Sequence, residues 1–432
     1  MTVSACQDKP GVVFSENYLG YVVGLLFLVN VLNYMDRSVI GVLIEPMREE
    51  FGFSDTQIGL LTGFAFALFY ATAGIFIASL SDRYSRRWIV SLSIAAFSVM
   101  TALCGAAQNF WQLLFARFGV GVGEASVVPG SLSLLSDYFS PARRALVLGI
   151  FSSGSMVGVM AGSVLGGWVA DSYGWRWAFV AAALPGIPLA LVLAWTLRDP
   201  QRGASDGVIV TEVLPLVTAL KTLLSSRALL LIMLGLALIA FMLFGMLTWF
   251  PALMVRQYGF TLSQTGMFFG VTVGIGTVLG SLGGGWLANK LAVQDLRWLT
   301  RMPMLLVLML WPLYEIAIFA SDYRVALAAL MLVNIVGGAT FGPAAAALQS
   351  VIPANLRATG SALNAFLTSL IGIGAAPLII GILSDFLENK VDNIIPLQWA
   401  MGTAAFIALL AFVVMIFADR AFADHLDNRG ND

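Results

Sequence analysis

Histidine occurs once and cysteine twice in 432 residues, and only 11% of the side chains are charged. His425 lies in a polar C-terminal stretch, while Cys6 and Cys104 are far apart, so no disulfide framework, thiolate metal site or Cys–His nucleophile pair is expected. No Gly-x-x-x-x-Gly-Lys-Ser/Thr run occurs to cradle a nucleotide, and Gly274-Ile275-Gly276-Thr277 follows no strand pattern. Lys and Arg number 23 against 24 Asp and Glu, a net charge of −1 that leaves no basic domain for a nucleic acid. No catalytic residue, metal or organic cofactor is expected. What is abundant is apolar: 59% of the residues are hydrophobic and the mean hydropathy is +0.89. A soluble chain carries about 25% charged residues, so the solvent that this composition suits is lipid.

About twelve apolar stretches are long enough to cross ~30 Å of hydrocarbon. They fall into a tail (1–16), six spans (17–197), a polar linker (198–227) with a short surface helix over Val213–Leu224, six further spans (228–420) and a second tail (421–432). The expected fold is therefore all-α and integral to the membrane, with twelve transmembrane helices in two six-helix bundles. Arg83, Arg86, Arg87, Arg143, Arg144, Arg198, Arg202, Lys221, Arg227, Lys290, Arg297, Arg301 and Arg357 fall in loops on one face, which the positive-inside rule makes cytoplasmic together with both termini. The N-terminal residues lack the basic flank and short apolar core of a cleavable signal, so the first span is expected to be its own address. Short loops and the lack of an Asn-x-Ser/Thr acceptor lean toward a bacterial inner membrane. Several tryptophans, including Trp88, Trp298 and Trp399, lie near span ends, where an amphipathic ring anchors in the headgroup layer.

The two halves echo each other. Leu80-Ser81-Asp82-Arg83 corresponds to Leu287-Ala288-Asn289-Lys290, and Ser140-Pro141-Ala142-Arg143-Arg144 to Ile352-Pro353-Ala354-Asn355-Leu356-Arg357. Copies with the same orientation imply a pseudo-two-fold axis along the membrane normal and a seam between bundles, where secondary transporters hold their cargo.

Four charges interrupt otherwise apolar spans. Arg117 and Glu124 are separated by close to two helical turns in Phe115-Ala116-Arg117-Phe118-Gly119-Val120-Gly121-Val122-Gly123-Glu124-Ala125-Ser126, so they share a face about 10 Å apart along the axis. Asp36 and Arg37 stand in the first span within Asn33-Tyr34-Met35-Asp36-Arg37, at a depth where they can meet Arg117, with Glu124 deeper. A charge at the bilayer centre costs about 2.5–3.5 kcal/mol, so such groups face a bundle interior or a wet pathway. Together the four sum to zero, which keeps burial tolerable if they pair. Arginine stays protonated, so a moving proton must ride on Asp36 or Glu124. An arginine released by carboxylate protonation can bind an anionic headgroup, and the competing reading is a purely structural quartet. Phe241, Met242, Phe244, Met246 and Trp249 in the seventh span, with the Gly-rich run through Thr340 in the tenth, offer an apolar wall for an amphiphile.

Ala78-Ser79-Leu80-Ser81-Asp82-Arg83-Tyr84-Ser85-Arg86-Arg87 resembles the signature loop of the major facilitator superfamily, Gly-x-Leu-Ala-Asp-Arg-x-Gly-Arg-Arg, with Ala78 and Ser85 in place of glycines. The Asn33–Arg37 and Gly121–Ser126 stretches resemble the spinster branch. The superfamily resemblance implies a latch on the cytoplasmic side, in which Asp82 addresses a helix of the other half and Arg83, Arg86 or Arg87 pairs with Asp137. The spinster resemblance implies a monomer moving a lysophospholipid or a sphingosine-type lipid by alternating access, with protons as the expected coupling ion. On this reading Asp36 and Glu124 carry the proton, and Arg37, Arg117, Asn33, Tyr34, Ser126, Phe241, Phe244 and Thr340 contact the substrate. The alternatives are a broad proton-coupled drug efflux pump and a carrier of small organic anions. Glycines 154, 158, 162 and 166 resemble an antiporter motif, but Val159 stands where that motif has proline, so they read first as helix packing.

Overall fold

A computed structural model of the chain describes residues 14–200, 216–353, 356–388, 390 and 395–429. Twelve helices among them are long and apolar enough to cross a bilayer. The first to twelfth spans are Glu16–Val42, Asp55–Gly74, Arg86–Ala106, Phe110–Tyr138, Leu146–Tyr173, Trp175–Thr196, Arg227–Tyr258, Leu262–Ala292, Trp298–Phe319, Tyr323–Val351, Thr359–Glu388 and Pro396–Asp427. They form two bundles of six, and no strand occurs among the described residues. A short helix, Leu216–Ser225, precedes the seventh span, whereas Val213 to Pro215 of the expected surface helix lie outside the described residues. Twelve crossings bring both chain ends to one face, the terminal face; the opposite one is the far face.

The fourth span departs from the single helix expected. It consists of Phe110–Glu124 and Val127–Tyr138, joined by a turn at Ala125 and Ser126. Pro129 accounts for the break: it has no N–H to donate, and its ring crowds the carbonyl four residues back, that of Ala125. The consequence is functional, because Glu124 becomes the last residue of its helix.

Glycines 154, 158 and 162 lay the fifth span on the first: a Cβ at Gly158 would stand 2.4 Å from the Val31 carbonyl oxygen, and one at Gly162 would stand 2.4 Å from that of Met35. Without a hydrophobic drive between helices in lipid, such close backbone approach supplies the packing energy.

At the far face the halves are clamped by a repeated device. Gly52-Phe53-Ser54-Asp55-Thr56-Gln57-Ile58-Gly59 opens the second span, and Gly259-Phe260-Thr261-Leu262-Ser263-Gln264-Thr265-Gly266 opens the eighth. Gly52 and Gly259 are both left-handed, with φ of 66° and 65°, a conformation that costs glycine little. Ser54 with Gln57 and Thr261 with Gln264 then form capping boxes. The free amides of each helix start are taken by an aspartate of the other half. Asp385 accepts from the Asp55 and Thr56 amides at 2.9 and 2.8 Å, and Asp171 accepts from those of Leu262 and Ser263 at 3.1 and 2.7 Å. A negative carboxylate at a helix N-terminus meets both the unsatisfied N–H groups and the positive end of the helix dipole.

Beside one clamp, Arg256 of the seventh span grips Asp55 with two bonds of 2.7 Å and Glu45 with a third of 2.7 Å. Ser384 donates to the same Asp55 at 2.6 Å. Burial pushes the Glu45 carboxyl up against the pull of Arg256 beside it, so acidification releases this arm at a higher pH than an exposed glutamate would allow.

Toward the terminal face the halves diverge. Along the seam between the fifth and eighth spans, a Cβ would stand 2.0 Å from the nearest atom at Gly266, 2.9 Å at Gly270 and 3.3 Å at Gly274. Beyond that the helices part around an apolar groove of about 200 Å³ lined by Met156, Met160, Val278 and Leu279. The protein is thus closed at the far face and wedged open at the terminal one.

Asp385→Ala should loosen the far clamp. A cysteine at Gly41, whose Cβ would sit 3.4 Å from the Leu247 carbonyl oxygen across the seam, reports the change. Labelling by a membrane-impermeant thiol reagent should rise at least about tenfold, because two hydrogen bonds to a charged group are lost and each is worth about 1.5–3 kcal/mol. An unchanged rate would show that the aspartate does not hold this face shut.

Candidate functional site

The first span presents Asn33, Asp36 and Arg37 at spacings of three and four, so all three lie on one helix face. The fourth span faces them with Arg117 and, at the break, Glu124. The four charges resolve into two pairs. Arg37 Nε donates to Glu124 Oε2 at 2.6 Å, and Arg117 Nη1 approaches Asp36 Oδ2 at 3.5 Å. The other oxygen of Asp36 accepts a hydrogen bond from Thr101 of the third span. Asp36, Arg117 and Glu124 are all buried, whereas the Arg37 side chain keeps 12% exposure and is the member nearest an opening.

Aromatic rings hold the cations. The Arg37 guanidinium carbon lies 4.8 Å from the Tyr70 ring centroid, 4.9 Å from Phe66 and 5.2 Å from Tyr34. Arg117 lies 5.3 Å from the same Phe66, which therefore stands between the two guanidinium groups. Such faces attract a cation while leaving its hydrogen-bond donors free.

The cluster is not saturated. Glu124 Oε1, Arg37 Nη2, Arg117 Nε and both amide atoms of Asn33 are buried without a protein partner. Leaving one such group unmade costs about 1–3 kcal/mol, more when charged, so this concentration marks a place that a ligand or water completes. Donors and acceptors are both present, as an anionic headgroup carrying hydroxyls requires.

Other residues expected at the site are placed differently. Ser126 shares a 2.6 Å hydrogen bond with Ser93, and the Thr340 hydroxyl donates to Gly337 O at 2.7 Å within its own helix, so neither offers a free hydroxyl in this state. Phe241 lines a small apolar void in the second half with Met242, Met246, Tyr314, Ile380 and Met401. Phe244 is half-buried. The polar cluster thus belongs to the first half and the apolar lining to the second.

Of the expected terminal-side latch, the pairing of an arginine of the signature loop with Asp137 is present. Arg86, almost fully buried, pairs with Asp137 and also holds Asp199 at 3.1 Å, the Pro200 carbonyl at 2.8 Å and Ser133 Oγ at 3.0 Å. All of these belong to the first half or to the start of the linker, so Arg86 ties this bundle together. Arg87 donates to the Leu197 carbonyl at 3.1 Å and stacks on Trp88. The side chains of Asp82 and Arg83 lie outside the described residues.

Sequence reasoning missed Asp199, because it lies in the linker, and it missed the far clamp. The clamp was visible as the Gly-Phe-Ser/Thr-x-x-Gln repeat before two spans.

Residues 26–377 match the model of the Major Facilitator Superfamily. The chain belongs to that superfamily. It is 33% identical over 367 residues to an MFS-type efflux pump of Mycolicibacterium smegmatis, covering 85% of each chain. It is 26% identical over 434 residues to a sphingosine-1-phosphate transporter of Danio rerio, covering 94% of this chain and 84% of that one. Its fold matches the crystal structure of a bacterial homolog of the human lysosomal transporter Spinster, inward-facing and unoccupied, with a TM-score of 0.85, 28% identity, and coverage of 95% of this chain and 99% of that one. This superfamily member is therefore a membrane transporter related to the spinster proteins, not an enzyme.

Substitution of Asn33 tests function apart from stability in this transporter. Its amide is fully buried and unpartnered, so Asn33→Leu, a swap of similar size, should leave the melting temperature in detergent unchanged or higher while transport falls at least about tenfold. A lowered melting temperature with transport intact would make Asn33 a packing residue.

Proposed function

We propose that the protein is a secondary active transporter that carries an amphiphilic, anionic lysolipid-like or sphingosine-1-phosphate-like molecule by alternating access, coupled to protons. The observation that carries this reading is the pairing of Arg37 with Glu124 and of Arg117 with Asp36 in a chamber whose polar atoms are left partly unsatisfied. When a carboxylate takes a proton, its arginine loses its counter-ion and turns to the phosphate of the cargo. When the proton leaves, the pair re-forms and competes with the cargo for the same guanidinium. Removing one partner of a buried pair costs about 3–5 kcal/mol, so the cation cannot remain uncompensated, and either the carboxylate or the lipid must supply the charge. The methionine- and phenylalanine-lined second half receives the acyl chain.

We infer further that the terminal face is cytoplasmic, that the membrane is a bacterial inner membrane and that the monomer is the working unit. The basic loops at the terminal face support the orientation. A second reading, a broad efflux pump, draws on the Mycolicibacterium relative, and the same assay separates it.

The test is uptake into liposomes under an imposed pH gradient, with labelled lysophospholipid, sphingosine-1-phosphate, a lipophilic dye and a small organic anion as cargoes. The expected result is saturable transport of the phosphate-bearing lipids, stimulated at least about tenfold by the gradient. Glu124→Gln or Asp36→Asn should abolish the stimulation, and Arg117→Ala should weaken lipid binding about tenfold or more, the value of a hydrogen bond to a charged group. Transport of the dye alone would favour the efflux pump, and transport of the soluble anion alone would favour the carrier.

A further inference from the structure

The ninth and twelfth spans build a second polar feature within the membrane, remote in sequence from the central charges. Trp311, Glu315 and Phe319 are spaced by four along the ninth span and so line one face; Trp399, Gly402 and Phe406, spaced by three and four, line one face of the twelfth. The two faces meet. Trp311 and Phe406 pack with ring centroids 5.3 Å apart, and Phe319 and Trp399 pack at 5.2 Å, so one aromatic pair bridges the helices on either side of Glu315. Between the pairs lies the carboxylate. Its Oε1 accepts from the Trp311 indole at 3.1 Å, and its Oε2 lies over Gly402, 3.4 Å from where a Cβ there would be.

Glu315 stands four residues before the end of its span at Phe319, about 6 Å inside the far end of the helix. It is half-buried; among the described residues Trp311 is its hydrogen-bond partner and no basic side chain forms an ion pair with it. A carboxylate at such depth without a cation is costly, and charges inside membrane spans mark functional sites by default. Trp399 and Phe406 are 48% and 52% exposed, so about half of each side chain is open outside the bundle. A π face is electronegative, so the rings strengthen the field of the carboxylate in the sense that attracts a cation. A half-buried carboxylate without a cation, flanked by four rings of which Trp399 and Phe406 are about half exposed, is a place where an ammonium group can complete the charge.

We propose that this box binds the ammonium group of a membrane amphiphile, at a site separate from the central chamber and independent of what that chamber carries. A primary ammonium would donate to Glu315 Oε2 while its remaining surface packs on Trp399 and Phe406. A quaternary ammonium keeps the ring contact but has no N–H to donate, and an anionic headgroup is repelled. Two sources share this chemistry: the headgroup of an ethanolamine phospholipid resident in the far leaflet, and a free lipophilic amine of the sphingosine class.

The experiment is native mass spectrometry of the full chain in detergent, titrated with dioleoyl phosphatidylethanolamine, the choline and glycerol analogues, and sphingosine. At least one of the two primary amines should bind about tenfold more tightly than phosphatidylglycerol, with the choline lipid between them. Glu315→Gln should bring that ratio to within about twofold. Trp399→Leu, a change at an exposed ring that leaves the fold intact, should lower it several-fold and keeps the proposal testable if the Gln variant does not fold. Preference for the phospholipid identifies a resident headgroup, and preference for sphingosine a free amine; either supports an ammonium site. Equal binding of phosphatidylglycerol by the parent, or an unchanged ratio in both variants, would overturn it.

Discussion

Two arginines locked against two carboxylates inside the first bundle are the constraint on which the rest of this transporter depends. Neither sign of charge tolerates the bilayer alone, so Asp36, Arg37, Arg117 and Glu124 must neutralise one another wherever a cargo does not. The local structure serves that need. The break at Pro129 ends the helix at Glu124, and Phe66 stands between the guanidinium groups as a shared apolar wall. The pairs are closed but not saturated: Glu124 Oε1, Arg37 Nη2 and Arg117 Nε are buried without a protein partner.

The clamps at the far face complement this chamber. Asp171 and Asp385 occupy corresponding places in the two halves, each capping a helix of the other. Such contacts are geometric and local, so a rocking motion of a few ångströms breaks them together. The wedge along the fifth and eighth spans shows which way the bundles have turned: tight at Gly266, loose at Gly274 and parted beyond. Arg86 meanwhile ties the third and fourth spans to the start of the linker at the terminal face.

Much of this was legible in the sequence, because lipid imposes strict rules. Span number, the doubled unit and the presence of four intramembrane charges follow from hydropathy and spacing. Helical rise alone put Asp36 within reach of Arg117. The partners themselves were not legible: which arginine takes which acid depends on rotamers and on the turn at Ala125, and the Arg86–Asp199 contact depends on where the linker folds back. Ser126 was expected at the substrate from the spinster-like stretch and Thr340 from the Gly-rich run of the tenth span; in the structure each hydroxyl bonds within the protein, to Ser93 or to its own helix. The clamp residues were passed over because Asp171 and Asp385 look like ordinary loop acids until the helix starts they cap are in view.

The exchange of partners can be tested without any transport at all. Isothermal calorimetry of lysolipid binding in buffers of differing ionisation enthalpy counts protons exchanged at the moment of binding. Uptake of about one proton per lipid near neutral pH is expected, falling to none in Glu124→Gln or in Asp36→Asn, whichever carboxylate carries it. Binding of the lipid with no proton taken up by the parent protein would contradict the coupling of carboxylate protonation to capture of the cargo.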